Sequence, residues 1–122
     1  MSDHPIISVV DDDQDVRESL EMLIDSIGLE AKIFSSAEEF LDSGILADST
    51  CLILDVQLPG MSGIELQAKL SDLGCQVPII FITAHSNLMT RERALRAGAI
   101  QFLDKPFSSD ALLSAIEAAQ SL

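Results

Sequence analysis

Five short apolar runs alternate along the chain with segments whose apolar residues recur at helical spacing. The runs are IISVV at 6–10, EAKIF at 30–34, CLIL at 51–54, IIFIT at 79–83 and IQFL at 100–103. The first, third and fourth are almost continuously Ile, Val and Leu, the pattern of parallel strands covered on both faces. Between them, Val16, Leu20, Leu23, Ile24 and Ile27 fall on one helix face that Gly28 can end. Ser36 with Glu39, and Ser62 with Glu65, have the spacing of a capping box, and their helices stop at Gly44 and Gly74. The helix after Ser62 carries Leu66, Leu70 and Leu73 on its apolar side. A fourth helical segment runs from about Ser86 to Gly98, and a fifth follows Ser109 with Leu112, Leu113 and Ile116 on one side.

This alternation predicts an α/β fold: a (βα)5 doubly wound parallel five-stranded sheet with right-handed crossovers and helices on both faces. Ligands of such open sheets sit beyond the carboxyl ends of the strands. Sequence position then becomes spatial position. Asp11 and Asp12 follow the first run, Asp55 the third, Thr83 closes the fourth and Lys105 follows the fifth. All five are expected on one rim.

That convergence gives a meaning to VVDDDQDV at 9–16, where a greasy run ends in a knot of like charge. Two carboxylates 4 Å apart repel by roughly 1 kcal/mol in water and about 4 kcal/mol at an effective dielectric of 20. A divalent cation would offset this, and an oxygen-rich anionic pocket suits Mg²⁺ with retained waters. Asp11, Asp13 and Asp15 have the alternation that begins a calcium loop, but Val16 and Met22 stand where that loop needs Gly and Glu. Asp13 and Asp15 are read instead as negative charge at the start of the first helix. Pro106 fixes the direction of the chain after Lys105.

Composition narrows the class. With 122 residues, 48 % of them hydrophobic, one domain with a real core is expected. No apolar run approaches a membrane span and MSDHPIISVV lacks the pattern of a secretory signal, so a cytoplasmic chain is expected. Seven Lys/Arg against 20 Asp/Glu, a net charge of -13, argue against binding nucleic acid or an anionic membrane. Cys51 and Cys75 are read as free thiols without the partners of a zinc site. His4 is read as a solvated residue of the N-terminal tail.

VVDDD at 9–13, LDVQLPGMSG at 54–63, ITAH at 82–85 and FLDKPF at 102–107 occur in an order and spacing that resemble the receiver domain of two-component response regulators. The resemblance covers the whole chain and has the flavour of receivers from FixJ/LuxR-type transcriptional regulators. It implies a CheY-like, flavodoxin-like sheet of strand order 2-1-3-4-5. It also implies one receiver domain over 1–122 with no output domain in the chain.

The resemblance further implies a role for each residue. Asp55 would accept a phosphoryl group from the phosphohistidine of a sensor histidine kinase, a phosphotransfer protein or a small phosphodonor. Asp12 and Asp55 would bind Mg²⁺ (or Mn²⁺) directly, with the backbone carbonyl of Gln57 as third ligand and Asp11 acting mainly through water. Lys105 and Thr83 would each contact a phosphoryl oxygen, joined by the Ala84 N–H. Thr83 and Phe102 would switch a surface of the fourth helix, fifth strand and fifth helix, used for a phosphorylation-dependent homodimer or an output domain. Gln57 and His85 would tune the lifetime of the acyl phosphate. Leu58, Pro59 and Gly60 would shape the loop beside the acceptor, and Met61 would pack.

Arg91, Arg93 and Arg96 cluster in the fourth helical segment of this acidic chain. They are read either as a docking strip or as a solvated face with Glu92 and Arg96 paired at i, i+4. Other classes fit less well. A haloacid-dehalogenase-type phosphatase wants an acid where Gln57 stands, and a flavin carrier wants aromatic walls in a chain with no Trp or Tyr. A receiver-like module that is never phosphorylated would not need the full acidic and basic set. The expected product is a regulatory domain that catalyses only its own phosphorylation and dephosphorylation.

Overall fold

Continuous burial selects the centre of the sheet. In the computed structural model, which describes residues 5–121, the strands are β1 (Ile6–Val10), β2 (Glu30–Phe34), β3 (Ser49–Asp55), β4 (Ile79–Thr83) and β5 (Gln101–Asp104). They form one parallel sheet in the order β2-β1-β3-β4-β5. β1 and β4 are buried along their whole length, whereas the edge strands β2 and β5 are partly exposed. His4 lies outside the described residues.

Two strands differ from the apolar runs. β3 starts earlier, because Ser49 pairs with Ile6 and its hydroxyl lies 2.6 Å from that of buried Ser8. It also ends later, so Asp55 is itself the last strand residue, paired with Ile82. β5 begins at Gln101, one residue after the apolar run does, and its ladder to β4 runs from Ile80–Gln101 to Thr83–Asp104.

The helices are α1 (Gln14–Ser26), α2 (Ala37–Ser43), α3 (Gly63–Asp72), α4 (Leu88–Arg96) and α5 (Ser109–Gln120). Asp13 caps α1 as expected, its carboxylate accepting from the Asp15 and Val16 N–H groups. Ile27 does not join the buried face of α1. The helix ends at Ser26, the chain turns through Gly28 at φ 83°, and Ile27 is left exposed.

Ser62 and Glu65 close a full capping box on α3. At α2 only half forms: Ser36 accepts from the Glu39 N–H, but the Glu39 carboxylate turns to the Ser35 N–H and hydroxyl. A 3-10 helix at Ile45–Asp48, unannounced by periodicity, follows Gly44. The N-cap of α4 is Asn87, not Ser86, and that of α5 is Ser108, so Ser109 is already helical. In both cases the side-chain oxygen one turn from a free backbone N–H decides the boundary.

α1 and α5 cover one face of the sheet, packing on Ile7, Val9, Ile53 and Ile82. α2, α3 and α4 cover the other, packing on Val10, Leu52, Leu54 and Phe81. Both cysteines are free: Cys51 is in the first layer and Cys75 packs against the second, so the sheet separates them. No helix among the described residues is long and apolar enough to cross a membrane.

Candidate functional site

Parallel strands that end at one level deliver their next residues to one rim, and here that rim gathers the acids. Asp11, Asp12 and Asp55 each offer a carboxylate oxygen within 4.8 Å of the others. Asp11 and Asp55 are buried, while Asp12 is exposed at the mouth. From there a groove opens between the loop after β3 and α4, lined by Gln57, Leu58, Pro59 and Thr90.

Lys105, expected on the same rim, partners two of the acids directly. Its Nζ donates to Asp11 Oδ2 at 2.7 Å and to Asp55 Oδ2 at 3.1 Å. The backbone delivers it there, the Lys105 N–H donating to the Thr83 carbonyl at 2.7 Å. The repulsion between the two buried acids is thus already offset in part by an ammonium. Burial works against the charge on Lys105, yet its contacts to Asp11 and Asp55 outweigh burial and raise its pKa.

Asp55 is held from both ends. Its Oδ1 accepts from the Gln57 N–H at 3.0 Å and its Oδ2 from Lys105. Burial pushes its carboxyl above the ordinary value; the Gln57 N–H and Lys105 pull it down, and Asp11 pushes it up further. Asp11 is fixed too, its Oδ1 accepting from the Asp13 N–H at 2.8 Å and its carbonyl from Arg17 Nη1 at 2.7 Å. Such a donor set fits a hard divalent cation: clustered carboxylate oxygens, one of them at an open mouth.

Thr83, fully buried at the end of β4, accepts from the His85 N–H at 3.1 Å, which leaves its hydroxyl proton to be donated. Ala84 and His85 are exposed beside it. Ala84 also borders a largely apolar groove with Val16, Leu20, Lys105 and Phe107. Phe102 is buried, 6.0 Å from the Phe81 ring, and the Arg91 guanidinium lies 5.9 Å from its centroid. All three arginines are exposed on α4, and Arg91 differs in lying over a core ring. Among the described residues Glu92 and Arg96 do not form the ion pair their spacing allows. Two solvated side chains gain little from it, since exposed pairs are worth about 0–1 kcal/mol against lost rotamer freedom.

Three further residues support the site without a strong mark in the sequence. Gly63 opens α3 where any Cβ would collide with the Asp55 carbonyl; a glycine directly after a capping serine was the available signal. Arg17 holds Asp11 from one turn into α1, and a lone basic residue beside an acidic run could have been noticed. Glu38, on α2, accepts from the Met61 N–H at 2.9 Å, and nothing local marked it. Met61 also packs against the core as expected.

The chain is similar to known proteins along most of its length. The family model of the response regulator receiver domain matches residues 7–117. The response regulator protein TmoT of Ectopseudomonas mendocina is 52% identical over 118 residues, covering 96% of this chain and 53% of its own. The transcriptional regulatory protein FixJ of Azorhizobium caulinodans is 40% identical over 112 residues, 92% of this chain and 53% of its own. The solved structure of the response regulator StyR is similar with a TM-score of 0.89 at 48% identity, covering 95% of this chain and 59% of that one. The chain spans about half the length of the curated relatives it matches.

Proposed function

The chain belongs to the response regulator receiver family, and from that premise we propose that Asp55 is the phosphoacceptor of a two-component phosphorelay. The carrying observation is the single cleft in which Asp11, Asp12 and Asp55 meet while Lys105 spans two of them. Asp12, Asp55 and the Gln57 carbonyl would hold Mg²⁺ (or Mn²⁺), with Asp11 behind them. When bound, the ion supplies positive charge that offsets the carboxylates and draws phosphoryl oxygens into place.

The residues do the rest by positioning and charge. The Gln57 N–H and Lys105 fix the Asp55 carboxylate at both oxygens. One of these oxygens attacks phosphorus and forms an acyl phosphate. The bond from phosphorus to the donor breaks, and its electron pair leaves with the donor, the imidazole of a phosphohistidine or the leaving group of a small phosphodonor. Lys105 shifts from Asp55 to one oxygen of the product, and the Thr83 hydroxyl and Ala84 N–H donate to another. Gln57 and His85 flank the approach of water and set how long the acyl phosphate lasts.

The output is a shift of a two-state surface. A phosphoryl group brings a charge near -2 and strong acceptors, enough to draw Thr83 inward and free Phe102 to move. α4, β5 and α5 then change their partner, a second receiver or an output domain, with Arg91, Arg93 and Arg96 as the docking strip. Residues 1–122 serve as one regulatory domain whose only reaction is on itself. It works in the cytoplasm beside a sensor histidine kinase, and leaves any binding of nucleic acid to another part of a transcriptional regulator.

The test is incubation with Mg²⁺ and acetyl phosphate, followed by intact-mass analysis. Wild type is expected to gain one phosphoryl group and Asp55→Ala none. A wild type that stays unmodified, with histidine-kinase donors tried as well and hydrolysis slowed by rapid quenching, would overturn the reading.

A further inference from the structure

The loop that carries Gln57 is tied at both ends and once from outside. At its base the Gly63 N–H donates to the Val56 carbonyl at 3.0 Å, and near its start the Gln57 N–H donates to Asp55. The Ser62 N–H is taken by Glu65 at the head of α3. The remaining tie comes from α2, where Glu38 Oε2 accepts from the Met61 N–H at 2.9 Å, across 23 residues of sequence. Among the described residues this is the one side-chain hydrogen bond that reaches residues 56–62 from outside residues 55–65; Lys105 comes from as far but ends on Asp55, before the loop.

The fit is close. Gly60 has φ 75°, and a Cβ there would lie 2.7 Å from the same Glu38 oxygen. The loop therefore approaches the carboxylate along its bare backbone; a Cβ at residue 60 would make the Glu38 carboxylate shift, and the positive φ favours glycine there. The Met61 N–H holds the Glu38 carboxyl below its ordinary value, so an ionised acceptor is in place at neutral pH.

We infer that Glu38 is a positioning residue: by holding the Gly60–Met61 backbone against α2 it sets where the loop presents the Gln57 carbonyl to a divalent cation. This rests on the reading of Asp55 and its neighbours as a Mg²⁺-dependent phosphoacceptor site. Glu38 touches neither the cation nor the phosphoryl group. It acts through the loop, as outer groups that orient metal ligands do.

Two variants separate the hydrogen bond from the charge. Glu38→Ala removes both, whereas Glu38→Gln removes the charge and keeps a carbonyl acceptor for the Met61 N–H. Each protein is titrated with Mg²⁺ alone by calorimetry, with the Gln57 amide followed by NMR, and its labelling by acetyl phosphate is measured across Mg²⁺ concentrations. Glu38→Ala is expected to weaken Mg²⁺ binding by about three- to tenfold, at or below the low end of what such orienting groups contribute. Its labelling rate should recover at saturating Mg²⁺. Glu38→Gln is expected to stay within about twofold of wild type.

Glu38→Ala binding Mg²⁺ as tightly as wild type overturns the inference. So does an equal loss in both variants, which would trace the effect to charge. Either result, with wild type binding and accepting phosphoryl normally, leaves the reading of the site intact. A wild type that binds no Mg²⁺ takes down that reading and this inference together.

Discussion

The acid-lined end of the sheet and the α4 face sit side by side and are held in different ways. In the cleft each buried polar group has a fixed partner: Asp11 with Lys105 and the Asp13 N–H, Asp55 with Lys105 and the Gln57 N–H. α4 buries only Ala94, whereas α5 buries Leu112, Ala115, Ile116 and Ala119. It is also tied by a hydrogen bond from Gln67 Nε2 to the Ala94 carbonyl at 3.1 Å and by the Arg91 guanidinium over Phe102. Leu88 and Met89 at its start are largely exposed. A region with few buried apolar contacts opens at low cost. On the function proposed above, the chemistry would belong to the end whose charges are paired, and the response to the element weakly held beside it.

The largest test of that contrast is Lys105→Met, which keeps a long stem but leaves Asp11 and Asp55 facing each other. It is expected to lower stability at pH 7 without metal by about 2–3 kcal/mol, read from urea unfolding. The folded pKa of Lys105 is raised above 10.5. Its contribution is therefore complete below 10.5 and fades as pH rises through the folded value, so the gap should be full at neutral pH. Coincident unfolding curves would mean that the ammonium is not what holds the acids together.

Asp55→Asn should have the opposite sign and a smaller size. The folded pKa of Asp55 is raised above 3.8, chiefly by burial, so its contribution to stability is complete below 3.8 and lost as pH climbs through the folded value. At pH 7 the variant is expected to be more stable by about 1 kcal/mol, from lost carboxylate repulsion. That corresponds to about 4 °C in thermal midpoint, shrinking as pH falls toward 3.8. A lower midpoint at neutral pH would show that the cleft is not strained by charge.

The smallest effect belongs to the loose side. Arg91→Ala removes a cation over an aromatic face and should cost about 0.5–1 kcal/mol. Faster amide exchange confined to α4, with the cleft unaffected, would locate that loss where the comparison puts it. Exchange that rises equally along α5 would dissolve the contrast between the two regions.

Much of this is legible in the sequence. Continuous apolar runs marked β1 and β4 to the residue, and the Ser62–Glu65 spacing marked the start of α3. Short-range side-chain geometry was harder to read. Glu39 has the spacing of a capping box yet bonds back to Ser35, and Glu92 stands four before Arg96 without pairing. Spacing says what is within reach; competing partners and solvent decide what forms.

The strand periodicity, the glycine stops and the acids at strand ends are local or counted along the chain, so they determined the parallel (βα)5 class and the set of residues on the rim, while the strand order came with the family resemblance. Only the tertiary structure decided that Lys105 rests on Asp11 and Asp55, 94 and 50 residues away, or that Glu38 fastens the loop at Met61. It likewise placed Arg91 over a buried Phe102. These contacts depend on how layers of helix and sheet set their spacing, and no periodicity along the chain encodes which long side chain will find which partner.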